Sequence, residues 1–535
     1  MDLSISIALA LLVITSIIPF ILFMFVEKIS EASQRRLPPG PPRWPIVGNL
    51  LQLGRLPHRD LAAFCSTYGP LVYLRLGTVN AITTDDPDII REILVDQGDV
   101  FASRPATVAA ERLAYGSGDV ALAPMGPHWK RMRRICMEHL LTTRRLESFT
   151  GHRADEARHL LMDVWVKSRV GEEVDMRQLL GGFSMNNVTK MLLGKQYFSP
   201  AAARPPEAME FMSTTHELFR LLGMIYLGDY LPAWRWLDPT GCEREMKAVE
   251  KKVDRFHQKI VEEHRERAAR RKKSSGEDAE ENGADDDVAD FVDVLLSLPG
   301  EDGKEHLDDK VIKALMQDMI AAATDTSAVT NEWAMTELLR HPRVLRKAQA
   351  ELDAVVGRRR HVFESDLRHL HYLRCIVRET FRLHPAGPFL IPHESLRPAS
   401  LMSGRYTLPP RTRVFINTHG LGRNPHVWGS DADDFRPERH ERRSKVEISH
   451  GDDFVILPFG AGRRRCPGAP LGVVMVLLAL ATLLHGFDWA PSAGMRPEEI
   501  GVEEVYGMTM PRAEPLRAVA TPRLAPEMYA GAGTD

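Results

Sequence analysis

The stretch Phe459-Gly460-Ala461-Gly462-Arg463-Arg464-Arg465-Cys466-Pro467-Gly468, followed at once by the apolar run Leu471 to Leu484, restricts the fold more than any other part of the chain. A cysteine set among glycines and arginines just before a helix can be held deprotonated by helix N-terminal amides and cations, as a thiolate ligand is. Gly462 and Gly468 leave room for a flat group to approach the backbone. Arg464, two residues before the cysteine, can reach an acidic group on its rim, and Phe459 can cover its edge. The same residues also suit a glycine-rich turn around a structural cysteine, and the stretch alone leaves both readings open.

Phe459, Gly462, Arg464, Cys466 and Gly468 stand at the five fixed positions of the pattern F-x-x-G-x-R-x-C-x-G, and in this the chain resembles the cytochromes P-450. At residue frequencies of about one in twenty, a chance match in a chain this long is on the order of one in several thousand. The resemblance implies haem b as cofactor, with Cys466 as its axial iron ligand and Phe459, Arg464 and Gly468 around it. It also implies a mainly α fold with small β-sheets: one haem domain over 37–535 rather than the three or four that a ~150-residue prior suggests for 535 residues.

Bulk composition adds mostly exclusions. Lys+Arg 69 against Asp+Glu 72 leaves a formal net charge of −3, so nothing global points to nucleic acid. Five scattered cysteines, Cys65, Cys136, Cys242, Cys375 and Cys466, show no C-x-x-C spacing, which fits a reducing compartment without disulfides.

Leu3 to Val26 is uncharged and, at ~1.5 Å per residue, long enough to cross a ~30 Å hydrocarbon core. Only Asp2 precedes it, unlike the basic start of a cleaved signal, and Lys28, Arg35 and Arg36 follow it. Residues 1–36 therefore read as a single-pass anchor with a basic flank and a cytoplasmic body, in which the chain resembles the microsomal cytochromes P-450, and that resemblance implies the endoplasmic reticulum membrane. Residues 37–45, rich in proline, read as an extended hinge setting the body against lipid.

Leu71 to Leu76 and Ala81 to Thr84, separated by Gly77 and Thr78, alternate as a hairpin. Asp86 and Pro87 then mark a helix start. Phe101 to Ala123 lacks periodicity and reads as a mobile loop, which in the resembled family roofs the substrate pocket. Trp129 and Arg133 share a helical face and can offer an indole N–H and a guanidinium to a carboxylate. W-x-x-x-R resembles the family's propionate-binding helix. Lys130, Arg131, Arg134, Arg463 and Arg465 can form a basic docking face for an electron donor, or simply a solvated surface.

From Gly151 to Leu298 the pattern is helical with little recognisable chemistry, and 272–290 reads as a disordered surface loop. Leu307 to Arg340 reads as one long helix whose middle, Ala322-Ala323-Thr324-Asp325-Thr326-Ser327, is peculiar. Hydroxyls there can bond back to carbonyls, and Ala322 and Ala323 leave room for a flat ring and its substrate. The stretch is similar to the family's oxygen-binding motif, departing from it at Ala323, where the pattern has glycine. By that resemblance Asp325 and Thr326 relay protons.

Glu379 and Arg382 fit the family's E-x-x-R, and Arg439 in Pro437-Glu438-Arg439 completes the structural triad that the resemblance implies. His440 stands where phenylalanine is usual, a departure that touches only local packing. In the family the apolar segment Pro385 to His393 runs past the haem edge, making Phe389, Leu390 and Ile391 substrate contacts and placing His393 where a propionate donor sits.

No Rossmann fingerprint follows Gly460-Ala461-Gly462, so electrons come from another protein, by resemblance the microsomal NADPH-dependent reductase. Short signatures such as H-P-A-G-P-F-L-I-P-H-E-S-L and F-I-N-T-H-G-L-G-R-N most resemble the plant anther-expressed subfamily that hydroxylates medium-chain fatty acids in-chain for the pollen wall. On that reading Arg104 or Arg112 holds the substrate carboxylate. The alternatives are a flavonoid or phenolic hydroxylase, a haem-thiolate hydroperoxide isomerase or dehydratase, against which Thr326 argues, and a haem-binding sensor or carrier.

Overall fold

Gly77 and Thr78 turn the chain between Leu71–Leu76 and Val79–Thr84, which pair antiparallel. Gly77 has φ +55, and a Cβ there would lie 2.3 Å from the Tyr230 carbonyl oxygen, so this turn accepts only glycine. In the computed structural model, which describes residues 36–196, 206–274, 289–300, 306–442, 448, 454–492 and 494–529, the hairpin opens a four-stranded sheet. Arg413–Ile416 adds in parallel beside Val79–Thr84, and His393–Glu394 closes the sheet antiparallel. A three-stranded and a two-stranded sheet are the others among the described residues, and helices dominate the rest.

Asp86 caps the helix Pro87–Arg91, accepting from the amides of Asp88 and Ile89 at 3.0 Å. The long helix Asp309–Arg340, about 48 Å at ~1.5 Å per residue, runs through the core against Met176–Leu193 and Ala469–Gly486. Hydrophobic residues surround Ala469–Gly486 on every side because it is a core element. That helix has a mean hydropathy of 2.0 and would suffice to cross a membrane, but 83 % of it is buried in the protein. The expected anchor, Leu3 to Val26, lies outside the described residues.

Three expectations change here. The proline segment is clamped rather than free: the Pro39 carbonyl accepts from Tyr73 N–H at 2.9 Å, and Gln52 donates to Pro42 at 2.7 Å. Within 272–290, residues up to Ser274 extend the helix Cys242–Ser274, and Asp290 caps Phe291–Ser297, so the ends of the expected loop are helical or capping. The middle of that loop lies outside the described residues. Phe101 to Ala123 carries its own helix, Val108–Leu113, capped by Thr107 and buried at Val108, Ala109, Ala110 and Leu113.

Glu379, Arg382 and Arg439 meet in a buried cluster. Arg382 reaches both Glu379 oxygens at 2.8–2.9 Å, and Arg439 donates at 2.8 Å. His440 Nε2 approaches the second Glu379 oxygen at 2.8 Å, so this position is a member of the ion cluster and not merely a packing substitution.

Candidate active site

The Cys466 amide donates to the Phe459 carbonyl at 2.9 Å and closes the loop into a turn. At Gly462, φ is +65 and a Cβ would stand 2.0 Å from the Leu94 carbonyl oxygen, so the turn packs directly on the backbone. The Phe459 ring stands edge-on to Phe381 at 5.8 Å. The four other cysteines are buried, while Cys466 alone keeps an exposed side chain. Burial nonetheless pushes its thiol up, and the Gly468 amide, Arg133 and Arg465 pull it back only in part. A metal ion bound at this sulfur would deprotonate it outright. An accessible sulfur among glycines is a donor that fits a haem iron.

The middle of the long helix also carries accessible surface: Ala322 is exposed and Ala323 and Thr326 half-buried between buried neighbours. The hydroxyls of Thr324, Thr326 and Thr330 donate back to the carbonyls four residues earlier at 2.6–2.8 Å, and the helix stays unbroken. Asp325, one residue round the helix from Thr326, is buried, accepts from the Thr509 hydroxyl and makes an ion-pair contact with His216 Nδ1 at 2.8 Å. Burial lowers the His216 pKa, but the Asp325 carboxylate outweighs it and holds the imidazole above its ordinary value. Asp325 and Thr326, adjacent in sequence, therefore occupy different surroundings.

The expected rim residues also come together, partly with other partners. Trp129 Nε1 donates to the Val120 carbonyl at 3.1 Å, so its N–H is not free for a carboxylate as the sequence suggests. Arg464 stacks on the Trp129 ring at 4.2 Å and donates to the carbonyls of Ala102, Val120 and Ala123. Burial lowers the Arg464 pKa to about 10. Arg133 lies 5.7 Å from the Trp129 ring centre and makes no ion pair among the described residues. His393 is buried and Nδ1 lies 2.8 Å from the Phe101 carbonyl, so that nitrogen carries the proton.

Phe389, Leu390 and Ile391 line a cavity of about 70 Å³ together with Leu122, Phe415 and Met508. Leu390 passes within 3.8 Å of where a Gly460 Cβ would stand, so this wall continues to the cysteine loop. Ala322 and Ala323 do not line this cavity. Arg104 donates to the carbonyls of Ala121 and Ile391, and Arg112 pairs with Glu243 at 3.3 Å, so both expected carboxylate partners are already engaged. Sequence reasoning passed over His216, Thr509 and Arg413. The first two carry no local signal. Arg413 does, as a lone cation in the apolar run Arg413-Val414-Phe415-Ile416.

The pattern of the Cytochrome P450 family matches residues 38–515. The chain is 68 % identical over 501 residues to Cytochrome P450 703A2 of Oryza sativa subsp. japonica, covering 93 % of this chain and 94 % of that protein. It is 66 % identical to Cytochrome P450 703A2 of Arabidopsis thaliana over 94 % of this chain and 96 % of that one. Flavonoid 3'-monooxygenase of Petunia hybrida is 38 % identical over 98 % of this chain and 99 % of its own length.

Proposed function

This chain belongs to the cytochrome P450 family, and on that premise we propose that it hydroxylates a medium-chain saturated fatty acid, lauric-acid-like, at an internal carbon. It is a haem-thiolate monooxygenase of a plant type, using haem and electrons from a separate reductase, commonly drawn from NADPH. Bound haem supplies the activation of O2 and the insertion of one oxygen atom into a C–H bond. In our reading Cys466 would hold the iron, Phe459 and Gly468 would shape the loop that carries it, and Arg464, Arg133, Trp129 and His393 would meet the acidic groups of the haem. With haem bound, the Thr326 hydroxyl would hold a proton on the accessible face of the long helix, and Asp325, paired with His216 and Thr509 on its other side, would be the acid of the relay.

The observation that carries the fatty-acid reading is the apolar wall Phe389, Leu390 and Ile391, which continues to the cysteine loop. Each methylene buried along it contributes ~0.8 kcal/mol. A flavonoid would also suit an apolar slot, and the 38 % relatives named flavonoid 3'-monooxygenases keep that as the second reading. The 703A2 relatives stand much nearer, and the subfamily resemblance drawn from the short signatures favours the fatty acid, as a precursor for the pollen wall.

Membrane attachment and an endoplasmic reticulum location belong to the same proposal. Trp44, Ile46 and Leu51 on one side, and Trp234, Trp236 and Leu237 on the other, are exposed. Both groups flank the Gly77 turn, since Gly48 bridges to Leu76 and Thr78 N–H donates to Tyr230 at 2.8 Å. Such an apolar rim suits a lipid surface. The test is product analysis with microsomes, reductase and NADPH, comparing lauric acid with naringenin. In-chain hydroxylaurate is the expected product. A hydroxylated flavonoid with no fatty-acid product would replace the substrate, and turnover of hydroperoxides without NADPH would replace the reaction.

A further inference from the structure

The cavity beneath the Gly77 turn contains one cation, Arg413, which is 6 % exposed in a strand otherwise made of Val414, Phe415 and Ile416. Its guanidinium carbon stands 4.8 Å from the Tyr230 ring centre, one terminal nitrogen reaches the Ala106 carbonyl at a long 3.4 Å, and Nε has no hydrogen-bond partner. Other buried arginines have their donors taken up: Arg153 pairs with Glu364 and Arg382 with Glu379, while Arg104 and Arg512, which have no carboxylate among the described residues either, donate at normal distances to backbone carbonyls. No carboxylate lies within ion-pair distance of Arg413 among the described residues. Asp229 lines the same cavity outside ion-pair distance; its Oδ1 accepts from Val108 N–H at 2.7 Å, and burial raises its pKa although the charge of Arg413 acts the other way. Glu394, the cross-strand neighbour, is likewise raised by burial, with Arg411 and Arg413 acting the other way.

A guanidinium stays charged at any working pH, so holding one buried and incompletely paired is costly unless a ligand completes it. We propose that Arg413 anchors the carboxylate of the substrate through its guanidinium fork, with the alkyl chain lying along Phe389, Leu390 and Ile391. This rests on the fatty-acid reading above. The cavity, about 70 Å³, equals about five to seven water-sized volumes at ~10–15 Å³ each, room for a head group and its first methylenes. Beyond it the chain follows Leu390 towards Gly460 and the cysteine loop. A fixed head group sets how far the chain reaches and hence which internal carbon meets the oxygen. A flavonoid, having no carboxylate, leaves Arg413 unpaired and is disfavoured for the reason that a polar site rejects an apolar analogue.

The experiment is spectral titration of the holoenzyme with lauric acid and with methyl laurate, for wild type, Arg413→Gln and Arg413→Lys. Wild type is expected to bind the acid more tightly than the ester. Arg413→Gln should weaken the acid by about ten- to hundredfold with the ester unchanged, and Arg413→Lys should fall between. If wild type hydroxylates lauric acid and Arg413→Gln keeps the wild-type ratio of acid to ester, the anchor is overturned and the fatty-acid reading stands. If wild type binds neither compound and hydroxylates naringenin, the fatty-acid reading falls and takes the anchor with it. Should Arg413→Gln fail to incorporate haem, the wild-type preference and Arg413→Lys decide: equal binding of acid and ester by wild type overturns the proposal.

Discussion

The ion cluster around Glu379 and the space beside Cys466 and Arg413 both place polar groups inside the protein, but only the cluster is closed. Glu379 accepts from Arg382, Arg439, His440 and the Arg436 amide, and Arg382 turns its other donors to the carbonyls of Gly422, Ala432 and Asp434. Burial alone would raise the Glu379 pKa, but Arg382 and His440 outweigh it and hold the carboxyl at about 2. On the other side the Cys466 sulfur stays accessible, Arg413 Nε has no partner and the Thr326 hydroxyl bonds only back to its own helix. A saturated polar network holds the fold together, and unsaturated groups mark where a ligand completes the structure.

If that distinction is right, changes on the two sides fail in different ways. Arg382→Lys removes the fork that serves Glu379 and three carbonyls at once, which a lysine cannot replace. Breaking a buried pair of this kind costs about 3–5 kcal/mol, so little folded enzyme should be recovered, as read by thermal unfolding and haem incorporation. A variant melting with wild type would show the cluster to be dispensable. Cys466→Ser should do the reverse, leaving the far-ultraviolet circular dichroism and melting temperature near wild type while abolishing the red-shifted Soret band of the ferrous carbon-monoxide complex. Retention of that band would remove Cys466 as the ligand.

Thr326→Ala sharpens the comparison further, because the hydroxyl bonds only to Ala322 and its loss should leave stability almost unchanged. Product formed per NADPH should fall by about tenfold or more, with hydrogen peroxide released instead. Unchanged coupling would take Thr326 out of proton delivery.

Local chemistry was readable from sequence, and long-range pairing was not. The cysteine turn, the i and i+3 pair Glu379–Arg382, the Gly77 hairpin and the Asp86 cap each lie within a few residues, so spacing reveals them. The Phe101 to Ala123 segment misled because Ala109, Ala110 and Ala114 bury small side chains on several sides of a short helix, which erases periodicity. Asp325 meets His216 and Thr509, and Arg413 meets Tyr230, across more than a hundred residues. Nothing local to Trp129 shows that Val120 will take its N–H.

The smallest expected effect falls at His440, the position that the sequence comparison treated as packing alone. Burial lowers the His440 pKa, although the Glu379 carboxylate pulls it the other way, and Nε2 donates to that carboxylate. In the unfolded chain a histidine takes up its proton as pH falls through ~6.5, while the folded one resists until lower pH. The unfolded state therefore binds more protons in that window, and wild type loses stability as pH falls below ~6.5. His440→Phe removes both the hydrogen bond and this proton linkage. At pH 7.5 it should be less stable than wild type by about 1.5–3 kcal/mol, the value of a hydrogen bond to a charged group. By pH 5.5 the difference should have narrowed, because only wild type has lost the histidine contribution, and urea melts at the two pH values measure it directly. A difference that stays constant or widens on acidification would mean that His440 is already protonated in the fold, making Glu379 the counterion of three cations rather than two and the cluster less fully neutral than the comparison with the Cys466 side assumes.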